Sequence, residues 1–168
     1  MGPSSSLEVW PLFSSRRKEF EKEIIAWHRS SELSRKLEKI PGIGPLAAGA
    51  LVASIVDARS FDIGRQVSAW LGLVPRQSSS GGKATLLGIS KRGNPNLRTL
   101  LIHGARSAIL AAQRKTENTN VWLANLLSRR HPNIAAVALA NKNVRTARAI
   151  LAHGREFRAD YAPTRMAV

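Results

Sequence analysis

Apolar residues recur at helical spacing through most of this chain, and the one long stretch where they do not is where its chemistry concentrates. From Arg16 to Trp27, Phe20, Ile24 and Trp27 form a single stripe with charged residues between them. That predicts an amphipathic helix, short and abrupt, as if cut from a longer one. In SSELSRKLEKIPGIGPLAAGALVASI, residues 30–55, Ser30 or Ser31 can cap a helix running to Lys39. Pro41 forces Ile40 out of helical backbone and Pro45 suits the first turn of a new helix, so the block predicts helix, hairpin, helix. Gly42 and Gly44 flank Ile43 and suit a tight turn around an apolar plug.

Further on, RQVSAWLGLVP predicts a short helix ending near Gly72, and a long helix starts at Gly93 or Asn94. In that long helix Leu97, Leu101, Ala105, Ala108 and Ala112 are placed to face a core. VWLANLLSRR and PNIAAVALANKNVRTARAILAHG predict two more helices, the second with Ala135, Ala136, Ala138, Ala140 and Ala147 small enough for close packing. Between them, PRQSSSGGKATLLGISKRGN (75–94) carries no helical stripe. It predicts a functional loop or a small hairpin with ATLLGI as a strand. The fold class is therefore mainly α: a helical domain with a helix-hairpin-helix-like motif and one irregular Ser/Gly-rich loop or small β-hairpin.

At 168 residues and 43% hydrophobic content the chain can build a real core. No run approaches the length of a membrane span, the first residues lack a secretory pattern, and there is no cysteine for disulfides or thiolate metal sites. A bacterial cytoplasmic, nucleoid-associated location is the expectation. Charge sharpens the picture: the formal net charge is +15, and from Ile63 to Arg155 fifteen Lys and Arg face one carboxylate, Glu117. A polyanion such as nucleic acid is the partner that such a balance implies.

Two segments carry candidate chemistry. The hairpin Gly42-Ile43-Gly44 leaves backbone N–H groups at the start of its second helix free to hold a phosphate, a sequence-independent way to grip DNA. In the loop, Arg76, Lys83, Lys91, Arg92 and Arg98 bracket the serines, and Gly81 and Gly82 permit close approach of a phosphate. Arg98 and Arg106, eight positions apart, can point to one side of their helix. No Asp or Glu lies between Ile63 and Thr116 to serve as a base, His103 reads as a packed or surface side chain, and the histidines at 28, 103, 131 and 153 lack ligand spacing. A phosphate-binding P-loop is excluded by the absence of its motif. Taken alone, SSSGGK reads equally as a flexible linker.

The order IPGIGPLAAGAL, F-x-x-GRQVSAWLGLVPRQSSSGGK, LGISKRGNPNLRTLLIHGAR and a late AAVALANK resembles the C-terminal transposase domain of the IS-one-ten and IS-one-sixteen type insertion-sequence transposases, over roughly Phe20 to Tyr161. The resemblance implies an N-terminal RuvC-like domain with four metal-binding acidic residues, absent from this sequence, and a coiled coil of which only a stub is seen. It implies that this domain supplies a serine nucleophile for DNA strand exchange, and by position that serine is Ser80, with Ser79 as neighbour and Ser90 as a weaker alternative. The divalent metal would belong to the missing domain, with no cofactor in this chain. DNA, a guide RNA and a second copy of the chain are the implied partners. The expected organisation is a disordered or vestigial lead-in over 1–14, a coiled-coil stub over 15–29, the transposase C-terminal helical domain over 30–158 and a frayed tail over 159–168. Two rival readings remain: a DNA- or RNA-binding module with an idle serine, and an oligomerisation domain.

Overall fold

The computed structural model describes residues 6–80, 83–114 and 120–158, with the backbone alone for 6–14, 79, 80, 83 and 84. The helices are α1 (Ser6–Ser30), α2 (Glu32–Glu38), α3 (Pro45–Ser54), α4 (Gly64–Trp70), α5 (Pro95–Arg114), α6 (Val121–Leu127) and α7 (Pro132–His153), with a 3₁₀ turn at Ala58–Ser60. Strands β1 (Pro75–Ser80) and β2 (Lys83–Ile89) form a two-stranded antiparallel ribbon. The fold is mainly α with one small hairpin.

The core is organised around α7, which packs against α2, α4, α5, α6 and the 3₁₀ turn. Ala135, Ala136, Ala140 and Ala147 are fully buried along it, so several neighbours can approach one helix, while Leu139, Val144 and Ile150 fill the remaining space. On α5 the buried line is Leu97, Leu101, Ala105 and Ile109, with Ala108 and Ala112 at its half-buried margin.

Ser31, rather than Ser30, caps α2: its hydroxyl accepts the N–H of Ser34, while Ser30 Oγ donates back to Trp27 O at 2.7 Å. α1 begins at Ser6, earlier than the Phe20–Trp27 stripe announces, and among the described elements packs on α2 and α3 alone. It is anchored at its last turns. The Trp27 ring packs over Gly49, 3.4 Å from the position a Cβ there would take, and buried His28 bridges Ser34 Oγ at 2.7 Å and Glu38 Oε2 at 2.9 Å. Upstream of these contacts the stripe is open, with Phe20 61% exposed.

Candidate nucleic-acid interface

The hairpin between α2 and α3 is built on a backbone contact. Gly42 has φ of +91°, and a side chain there would meet the carbonyl of Gly104 at 2.8 Å. From the other side, a Cβ at Gly104 would meet Gly42 O at 2.0 Å. The hairpin thus lies directly on α5, and Asn143 of α7 donates to Pro41 O at 2.8 Å to hold its near end. Ile43 is the predicted plug, 2% exposed, and its N–H is spent on Ile40 O. Gly44 differs: φ is −86°, nothing lies within 4 Å of its Cβ position, and it starts α3 with no side-chain cap. Of the three glycine-hairpin residues, Gly44 and the first turn of α3 are the part left open to an outside acceptor.

The ribbon stands apart from this body, since β1 and β2 pack on each other and on no helix among the described residues. Its pairs are Gln77 with Leu86, Ser78 with Thr85, Ser79 with Ala84 and Ser80 with Lys83. A bulge beside Arg76 sets the extra residue on β2, at Leu87-Gly88, before Pro75 meets Ile89. Because successive strand residues alternate between faces, Arg76, Ser78 and Ser80 share one face with Thr85 and Lys83, and Ser79 falls on the other with Gln77 and Leu86. Gly81 and Gly82 lie outside the described residues. Ser90 is a different case from the ribbon serines: its Oγ is buried, without a hydrogen-bond partner, where an external phosphate cannot reach.

The root of the ribbon is a tight knot. Ser90 and Lys91 donate their N–H groups to Val74 O at 2.8 Å and Gly72 O at 3.1 Å. Lys91 is left-handed at φ of 57°, and Gly93, at +84°, passes so close to Trp70 O that a Cβ there would sit 1.9 Å from it. Arg98, placed by sequence among the phosphate binders, is half-buried and donates Nη1 to Leu71 O and to Arg92 O, each at 3.1 Å. Arg106 reaches Asn133 Oδ1 on α7 instead.

Around these elements the cations are unneutralised. The ion pairs among the described residues are Arg17–Glu21, His28–Glu38, Lys36–Glu32 and Lys39–Glu156, so none involves a cation of residues 65–155. Hydrogen bonding and charge from Lys36 hold exposed Glu32 below the ordinary carboxylate value. Arg76, Lys91 and Arg92 are all exposed. No cluster of three His, Asp or Glu that could hold a metal ion occurs among the described residues. His103 is exposed on α5, as one of its two sequence readings had it.

Sequence reasoning passed over three consecutive residues of α7. Residues 100° apart on a helix fan outward, so Asn141 donates to Leu73 O at 3.1 Å, Lys142 sits 4.3 Å from the Trp122 ring centroid, and Asn143 reaches Pro41. Partial burial lowers the Lys142 pKa. The available signal was a polar Asn-Lys-Asn triplet inside an alanine-rich helix.

Residues 34–119, which hold the hairpin, the ribbon and α5, match the model of the transposase IS116/IS110/IS902 family. This chain belongs to that family. It is 52% identical over 131 residues to a probable family 20 transposase of Pseudomonas aeruginosa, covering 78% of this chain and 39% of that protein. It is 47% identical over 140 residues to the transposase for insertion sequence element IS1111A of Coxiella burnetii, covering 83% and 38%. A third relative, the transposase for insertion sequence element IS1328 of Yersinia enterocolitica, is 40% identical over 139 residues, covering 83% and 42%. The chain therefore spans about two fifths of the length of these relatives. Among the described residues no helix is long and apolar enough to cross a membrane.

Proposed function

We propose that this family member is the DNA-binding, serine-bearing part of a transposase, with Ser80 as the nucleophile of strand exchange. The observation that carries this reading is the placement of Ser78–Ser80 on a ribbon that packs on no helix among the described residues, in a stretch of chain with cations and no carboxylate. The ribbon register supports Ser80 over Ser79, because Ser80 shares its face with Arg76 and is paired with Lys83. Burial of the Ser90 oxygen argues against that alternative.

In the proposed step the Ser80 oxygen bonds to phosphorus as one bridging P–O bond to deoxyribose breaks. The leaving oxygen takes up a proton, and the serine proton passes to a base supplied by the metal-bearing half, since residues 63–116 carry no carboxylate. Arg76, Lys83, Lys91 and Arg92 stabilise charge on the phosphoryl oxygens. Gly44 and the first turn of α3 hold a neighbouring backbone phosphate through their N–H groups. The metal-bearing half, the guide RNA and a second copy belong to this reading as partners of the longer protein.

The test joins this chain to a matching RuvC-like half with its guide RNA, a divalent cation and donor and target DNA. The wild type is expected to form a phosphoserine adduct that survives denaturation, and Ser80→Ala to lose it while keeping DNA affinity within a few-fold. Full recombination by Ser80→Ala would refute the nucleophile and leave a non-catalytic DNA- or RNA-binding module. An adduct at Ser79 would move the nucleophile to the opposite ribbon face.

A further inference from the structure

Among the described residues no helix packs on the faces of the ribbon, so the contacts that orient it lie at its root. Two side chains from separate helices do so. Arg98 of α5 ties Leu71 O, just before the ribbon, to Arg92 O, just after it, through one guanidinium nitrogen at 3.1 Å from each. Asn141 of α7 donates to Leu73 O at 3.1 Å, on the segment entering β1. Each of these helices also holds the other candidate site, α5 through the Gly104–Gly42 contact and α7 through Asn143 and Pro41 O at 2.8 Å. The packed α5–α7 pair thus grips the phosphate-binding hairpin and the serine ribbon at once.

We infer that Arg98 and Asn141 are positioning residues, which fix the direction of the Ser80 ribbon relative to DNA held at the Gly44 hairpin. This rests on the Ser80 reading above. A guanidinium committed to two carbonyls closes the loop that starts and ends the ribbon, so Arg98 acts through backbone geometry rather than as another phosphate contact. Asn141 adds a second, uncharged tether from a different direction, and two tethers restrain rotation that one alone permits. A misplacement of about 1 Å at a reacting group slows reaction far more than it weakens binding, which is the signature to look for.

The natural chain has no cysteine, so Ser80→Cys introduces a single thiol. Its rate of disulfide trapping is measured against a DNA duplex bearing a cystamine tether on one backbone phosphate, across DNA concentrations. Fluorescence anisotropy and thermal unfolding are recorded on the same proteins. In the Ser80→Cys background, Arg98→Met and Asn141→Ala are each expected to lower the plateau trapping rate about tenfold while half-saturation and the salt slope stay within about twofold. If Arg98→Met fails to fold, Asn141→Ala, which changes no charge, decides. A raised half-saturation and a shallower salt slope with an unchanged plateau would make Arg98 a phosphate contact and overturn the inference. Trapping untouched by either substitution overturns it too. Binding without any trapping in Ser80→Cys alone removes the serine reading and this inference together, whereas absence of binding removes the DNA-binding proposal as a whole.

Discussion

At the scale of single residues, the glycines of the α2–α3 hairpin and its α5 contact play two roles: Gly42 and Gly104 hold the fold by close backbone approach, while Gly44 borders open space. Gly104→Ala drives a methyl into Gly42 O at 2.0 Å, and neither backbone can yield without separating α5 from the hairpin. A loss of at least about 2 kcal/mol in urea unfolding is expected. Gly44→Ser behaves in the opposite way. A serine hydroxyl can cap α3, where no side chain now does, and raise stability by a few tenths of a kcal/mol or more. The same hydroxyl occupies the N–H groups proposed to take a phosphate, so DNA affinity should fall as stability rises. Unchanged affinity would remove the hairpin from the interface. Lys91 offers a parallel test, because its left-handed backbone is strained for a lysine and free of strain for glycine. Lys91→Gly should gain about 1 kcal/mol of stability and, as a lost phosphate contact, reduce the slope of log affinity against log salt by about one.

At the scale of elements, the ribbon and α7 are opposites. A two-stranded hairpin without a third strand or a helix beneath it is marginal in water. Its amides should therefore exchange with solvent orders of magnitude faster than those of α5 and α7 in hydrogen-exchange mass spectrometry. Equal protection of ribbon and helices would show that the ribbon is packed on something in solution. α7 owes its central place to its small side chains. Ala140→Leu has no space to enter, since that alanine is fully buried, and a loss of about 2 kcal/mol or more is expected from equilibrium unfolding.

At the scale of the whole molecule the charge is segregated along the chain. Residues 1–62 hold nine cations and eight carboxylates, and the ion pairs on described residues fall there or at Glu156. The cations of residues 65–155 form no ion pair among the described residues. If about six phosphates are contacted, affinity should drop on the order of a thousandfold between 50 and 200 mM salt. A flat titration by anisotropy would exclude phosphate contact as the basis of binding.

The sequence by itself determined the helices and the hairpin's outline, because periodicity and punctuation are local. The Phe20 stripe, Pro41, Pro45 and the long apolar line from Leu97 each act within a few residues of themselves. It also determined the charge and, through the order of separated motifs, the family. The tertiary structure decided which polar groups are free. Arg98 looks like one more cation in a basic cluster until Leu71 O and Arg92 O lie beside it, and Asn141 and Asn143 look like surface residues until α7 brings them to Leu73 and Pro41. Gly42 and Gly44 are alike in sequence, and only the approach of Gly104 makes one a packing contact and leaves the other open. The reason is the same in each case. A backbone carbonyl from across the fold leaves no mark on the composition of the residue that meets it, so the partners of buried donors become visible only once distant segments are packed together.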